Sequence, residues 1–204
     1  MPFERIRPFK CFGQTEAEKL SYLERFVRSC AHCKSIAKAR TGTVFGEGSL
    51  EPNLLFIGEA PGSEEDASGR PFVGRAGQLL RSVIGELELG MDHVYIANVL
   101  KCRPDTPFGQ GNRPPSKPEM DDCLPYLLAQ IEILDPNVIV AMGNTAISAL
   151  GSDETISQAR GTNWVFRRRW DVYATWHPSY VLQNPGSRKQ FKEDIDKAAV
   201  KSGL

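Results

Sequence analysis

Two thiols separated by two residues, Cys30-Ala31-His32-Cys33, can reach one metal centre. Cys102 and Cys123 form a second, looser pair, and Cys11 brings the count to five. An odd count argues against a disulfide framework and suits a metal site that uses four thiolates and leaves one over. Zinc and iron–sulfur both fit four cysteines. The reading without a metal makes Cys123 a small core residue and Cys102 incidental. His32, between the two cysteines of the first pair, is expected to point away. A second concentration of chemistry is Gly58-Glu59-Ala60-Pro61-Gly62. No Gly-Lys-Ser/Thr follows it, so it is not a phosphate-binding P-loop. Glu59, Glu64, Glu65 and Asp66 would repel phosphate rather than cradle it. The plain alternative is a solvated acidic turn. Against it stands the next segment, Pro71-Phe72-Val73-Gly74, which presents an aromatic ring beside residues that free the backbone.

The elements that position these residues follow from local signals. Thr15-Glu16-Ala17-Glu18 is a capping box, and Leu20, Leu23 and Val27 recur at helical spacing. The helix they predict runs to about Ser29 and delivers the chain to Cys30. Residues 53–58 read as a short buried strand, 59–74 as a long loop, and 76–87 as a helix with Leu79, Leu80, Val83 and Leu87 on one side. Residues 94–100 read as a strand and 101–115 as a loop rich in Pro and Gly. Ser116-Lys117-Pro118-Glu119 is another capping box, starting a helix to about Leu134. Val138–Met142 is a third buried strand, and Asn144 is expected to cap a short helix ending at Gly151. Residues 163–167 and 170–175 suggest strands around a turn, and 187–201 a closing helix.

Strand and helix alternate, which predicts an α/β fold: three layers, αβα, around a central, mostly parallel sheet. Such open sheets place their sites beyond the carboxyl ends of the strands. Three unusual loops begin at such ends, at Glu59, Lys101 and His177. The 204 residues suit a single domain, with residues 1–14 as an extended arm. The formal net charge is zero, which does not announce a nucleic-acid binder; any basic face must be local. Arg167-Arg168-Arg169 and the set Arg188, Lys189, Lys192 are candidates. No apolar run approaches the roughly 18 residues of a membrane span, and the first five residues lack the apolar stretch of a signal peptide. A cytoplasmic, monomeric protein is the expectation.

Three separated strings carry a family resemblance. The first is Gly58-Glu59-Ala60-Pro61-Gly62, with Glu65-Asp66, Gly69-Arg70-Pro71-Phe72-Val73-Gly74 and Ala76-Gly77. The second is Asn98-Val99-Leu100-Lys101-Cys102-Arg103-Pro104, and the third Trp176-His177-Pro178-Ser179-Tyr180-Val181-Leu182. In this order they resemble the motifs of the family 4 uracil-DNA glycosylases, over about residues 30 to 200. The resemblance implies a uracil-DNA glycosylase-like fold and a DNA-repair enzyme. Such an enzyme flips uracil out of DNA and hydrolyses its N-glycosidic bond, leaving an abasic site. It also implies that Cys30, Cys33, Cys102 and Cys123 hold a [4Fe-4S] cluster. Two features depart from the pattern: a longer stretch between Cys102 and Cys123, at 106–111, and the arm with Cys11. A longer loop is tolerable, because closure entropy grows slowly with length.

With that resemblance in hand, each motif residue has a chemical part. A flipped base needs a flat platform, which Phe72 supplies. The amide of Asn98 matches uracil alone: its oxygen takes N3–H and its NH₂ gives to O4. His177 matches the histidine with which the family donates to O2 as charge develops there. Glu59 would stabilise the cation-like sugar and orient water, and backbone groups of Gly58 and Ala60 would line the pocket. Asp66 is a weaker candidate for the water, and Glu65 for crowding the uracil 5-position against thymine. Leu182 or a neighbour would fill the gap left in the stack. Lys101, Arg103, Arg113 and Arg188 are candidate phosphate contacts. Three other readings remain open at this point. A related group stays covalently attached to uracil-DNA through a histidine in a basic loop, but no histidine lies between His93 and His177. The others are a non-catalytic Cys₄ zinc module that binds nucleic acid, and a magnesium-dependent nucleotide hydrolase built on the acidic loop.

Overall fold

The computed structural model describes residues 6–104 and 111–204. Apart from Gly111, the longer stretch at 106–111 lies outside the described residues. Among the described residues, six strands form one sheet: β1 (Glu47–Gly48), β2 (Leu54–Gly58), β3 (Val94–Asn98), β4 (Val138–Met142), β5 (Asn163–Phe166) and β6 (Trp170–Thr175). Their spatial order is β1-β3-β2-β4-β6-β5. The four inner strands are parallel, and an antiparallel strand closes each edge. This is the mostly parallel αβα architecture that the alternation of elements predicts.

Every residue of β2, β3 and β4 is buried, which is why these strands read as unbroken apolar runs. Side chains alternate across the sheet and split the interior in two. Leu55, Ile57, Tyr95, Ala97, Ile139 and Ala141 face one core, shared with α1 (Glu16–Ser29), α2 (Lys34–Ala39), α5 (Lys117–Leu134), α6 (Asn144–Ala149) and α7 (Ile156–Ala159). Leu54, Phe56, Val94, Ile96, Val138 and Val140 face the other core, with α4 (Arg75–Glu86), α8 (Pro178–Gln183) and α9 (Arg188–Ser202). From β2 the chain passes to β3 on one side; from β3 it crosses to β4 on the other. The crevice between the ends of β2 and β4 is therefore the switch point where open α/β sheets bind ligands.

Local signals set several boundaries. The Thr15 side chain accepts from Glu18 N–H at 3.2 Å, and the Glu18 carboxylate accepts from Thr15 N–H at 3.2 Å. Glu119 likewise accepts from Ser116 N–H at 2.7 Å at the head of α5. The arm is not loose: Phe9 N–H donates to Pro125 O at 2.9 Å, and its ring packs on Phe26 and Tyr126. Other expectations are corrected. Residues 59–74 contain a short helix, α3 (Ser63–Ser68), ended by Gly69 at φ +72°. Asn144 does not cap α6, whose N-cap is Gly143; its Oδ1 accepts from Ile156 N–H at 2.7 Å instead. The strand from residue 163 stops at Phe166, because Arg167 and Arg168 turn the chain with φ of +47° and +59°. No helix among the described residues is long and apolar enough to cross a membrane.

Candidate functional site

Parallel pairing of β2 with β3 sets Gly58 opposite Asn98 at the carboxyl end of the sheet. Only glycine fits there: a Cβ would stand 2.4 Å from Phe72 Cζ and 2.5 Å from Asn98 Oδ1. Phe72 therefore lies against the backbone of β2, next to the Asn98 amide. It sits at φ +53°, a conformation that costs a non-glycine residue about 1 kcal/mol or more. Its surroundings hold it there. A Cβ at Gly77 would meet Phe72 O at 1.9 Å, so α4 approaches this turn through a glycine, and Arg81 Nε donates to the same oxygen at 3.3 Å. Asn98 is 2% exposed, and its Oδ1 has no hydrogen-bond partner. A buried acceptor left unpaired costs about 1–3 kcal/mol, and such an atom points to a missing donor.

His177 ends the loop after β6 and caps α8, with Pro178 in the first turn. Its Nδ1 accepts from Ser179 N–H at 3.2 Å and lies 2.7 Å from Ser179 Oγ. A backbone N–H can only donate, so Nδ1 carries the lone pair and the neutral ring keeps its proton on Nε2. Burial in the protein mass pulls the imidazole down to about 4, with Glu65 opposing. The ring is open on its cavity side, so desolvation here comes from the walls around it rather than from full enclosure. Its centroid is 6.0 Å from that of Phe72. A neutral imidazole with a fixed N–H is a donor that needs no proton from solvent.

These groups share a cavity of about 600 Å³, lined also by Glu59, Ala60, Gly62, Met142, Asn144 and Tyr180. Glu59 follows β2, and Thr145 Oγ1 donates to its Oε2 in a short hydrogen bond. Glu65 also lines the cavity, and backbone N–H groups engage both its oxygens. Its Oε1 accepts from Val73 N–H at 2.9 Å and Gly74 N–H at 2.8 Å, and its Oε2 from Gly62 N–H at 3.0 Å. It braces the turn that carries Phe72. Asp66 is turned from the cavity: buried, it accepts from Thr41 N–H at 2.9 Å and Gly42 N–H at 3.5 Å.

Cys30, Cys33, Cys102 and Cys123 line one recess with Ile36, Leu100 and Tyr126, and exposed His32 lies at its edge. All four thiols are free. Arg40 Nη1 donates to Cys102 Sγ at 2.7 Å, and Lys101 N–H to Cys123 Sγ at 3.2 Å. Burial pushes the thiols of Cys33 and Cys123 up, to about 11 and about 12. Among the described residues, no three His, Cys, Asp or Glu are grouped closely enough for a single ion. A cubane takes each thiolate on a different iron, so its ligands stand farther apart than those of one ion. Four thiols around one recess, two of them receiving N–H donors, fit that donor set.

The expected phosphate contacts fare unevenly. Lys101 is corrected: it is 1% exposed, and its Nζ donates to Asn98 O at 2.8 Å and Gln130 Oε1 at 2.5 Å. It supports the Asn98 backbone from inside the protein, and burial pulls its ammonium down to about 8. Arg103 donates to Gly111 O and Asn112 Oδ1, Arg113 to both Glu119 oxygens, and Arg188 to Glu86. Leu182 and Tyr180 are exposed on α8, with Tyr180 stacked 4.5 Å from Trp176. Sequence reasoning gave no functional part to Arg40 or to the segment 142–145 at the cavity, and named Trp176 and Tyr180 only within the third motif. The rule that found the other strand-end loops would also have found the end of β4.

Fold and cavity together define an open α/β protein with a polar and aromatic cavity at the carboxyl ends of its parallel strands. Residues 45–199 match the family model of the uracil DNA glycosylase superfamily, and the chain belongs to that superfamily. It is 43% identical over 190 residues to a type-4 uracil-DNA glycosylase of Thermotoga maritima, covering 90% of this chain and 95% of that one. It is 40% identical over 189 residues to one of Sulfurisphaera tokodaii, covering 88% and 83%. One of Saccharolobus solfataricus is 39% identical over 196 residues, covering 92% and 87%.

Proposed function

We propose that this protein is a DNA-repair hydrolase, a uracil-DNA glycosylase, working as a single domain on uracil extruded from DNA. The observation that carries this is the unpaired Asn98 Oδ1, buried beside the Phe72 ring on a residue that lines the same cavity as His177. Uracil N3–H is the donor that oxygen lacks, and the amide NH₂ gives to O4. Cytosine presents an acceptor and an amine at those positions and leaves both groups mismatched. Phe72 stacks on the base, worth about 1–3 kcal/mol. Ala60 lines the same cavity, and Gly58 lies against the Phe72 ring.

As the bond from C1′ to N1 opens, its electron pair leaves with the base. The His177 Nε2–H stabilises the charge that appears on O2. Glu59 faces the cation-like sugar and aligns a water, whose oxygen bonds to C1′ while its proton passes to the carboxylate. Leu182, with Tyr180 beside it, would occupy the gap in the base stack. Cys30, Cys33, Cys102 and Cys123 would hold a [4Fe-4S] cluster, which supplies cross-linking between α2, the loop after β3 and α5 rather than chemistry at the base.

Incubation with a uracil-containing oligonucleotide, followed by alkali, tests the reading. Scission at uracil in the presence of chelator supports it and argues against a magnesium-dependent hydrolase. Intact strands, with no free uracil from purified brown protein, would overturn it. Colourless protein with stoichiometric zinc would overturn the cluster assignment.

A further inference from the structure

The segment after β4 has no part in the reaction described above, yet it touches both reactive side chains. Thr145 Oγ1 donates to Glu59 Oε2 across 86 positions of sequence. Gly143, at φ +86°, presses against His177: a Cβ there would stand 3.0 Å from His177 Cβ. Asn144 ties the segment to α7 through Ile156 N–H at 2.7 Å. Met142, Gly143 and Asn144 all line the cavity.

We infer that Gly143-Asn144-Thr145 is a working part of the site, in which Thr145 is a positioning residue that fixes the Glu59 carboxylate. The inference rests on the assignment of Glu59 to the sugar. A glutamate has three side-chain torsions, and a half-buried carboxylate beside a 600 Å³ cavity has room to swing. One hydroxyl, held on the first turn of α6, removes that freedom by binding one oxygen and leaving the other for water. The donor takes one lone pair of Oε2 and so restrains where Oε1 stands for the water. Gly143 matters for a steric reason: its positive φ and missing Cβ let the loop of His177 close against the same segment.

The test is single-turnover excision of uracil, with DNA affinity measured in parallel by fluorescence anisotropy. Thr145→Val keeps shape and removes the hydroxyl. Its rate is expected to fall by about tenfold to a hundredfold, with DNA affinity within about twofold. Thr145→Ser restores the hydroxyl and recovers the rate to within about threefold. A Thr145→Val enzyme at wild-type rate overturns the inference. So does a Thr145→Ser enzyme as slow as Thr145→Val, or equal loss of rate and affinity in both. Inactive wild-type protein would instead strike at the glycosylase reading itself, so the two failures are distinct.

Discussion

Asn98, His177 and Lys101 have unlike histories in this protein, and each is explained by what surrounds its polar atoms. Asn98 keeps an acceptor free in a buried setting, and the proposed uracil contact would satisfy it. Asn98→Ala is expected to lower uracil excision about a hundredfold in single-turnover assays, since the base then keeps unpaired polar edges in a closed site. His177 is held neutral by desolvation, at about 4 against about 6.5 for a free imidazole. Between those values the unfolded chain takes up the proton and the folded one does not. The contribution to stability is therefore complete above about pH 6.5 and is lost as pH falls toward 4. Urea midpoints at pH 7.5 and pH 4.5 should fall less for His177→Asn than for wild type. An equal fall would mean that the ring is already protonated in the fold.

The short elements carry the turns on which the site depends. Glu65, on α3, accepts three backbone N–H groups from two segments of the turn around Phe72. Glu65→Ala should cost about 2 kcal/mol in urea unfolding, in line with hydrogen bonds to a charged acceptor. It should also slow uracil excision without gaining activity on thymine, which separates a brace from a steric filter. Capping of α1 by Thr15 is a smaller matter: Thr15→Ala should cost about 1 kcal/mol. That loss would be read as a lower melting temperature with an unchanged rate at 25 °C.

The molecule as a whole is a sheet with two separate cores and one working edge. The four cysteines lie beside the core that holds α1 and α5, and a cluster there would link segments up to 93 positions apart, from Cys30 to Cys123. Removing the cluster should lower the melting temperature and loosen the loop after β3. Cys123→Ser is therefore expected to lose the broad visible absorption and to melt earlier, by spectrophotometry and calorimetry on the same sample. Retained colour with unchanged melting would remove Cys123 from the ligand set.

Much of this was legible in the order of residues. Buried runs in β2, β3 and β4 marked strands, capping boxes marked the heads of α1 and α5, and alternation of the two gave the layered sheet. These signals lie within a few positions of one another, and local sterics and solvation act over that range. Glu59, Phe72 and His177 could also be placed, because strand ends and glycine-rich turns announce themselves locally; Asn98 stood out only through the family motif, since the strand reads locally to residue 100 and in the fold ends at Asn98. What could not be read was which polar atoms would meet. Thr145 finds Glu59 only because β4 lies beside β2, and Lys101 turns inward only because Gln130, 29 positions later, offers an acceptor under the sheet. A long amphipathic side chain suits water or an interior equally well until the fold brings a partner to it.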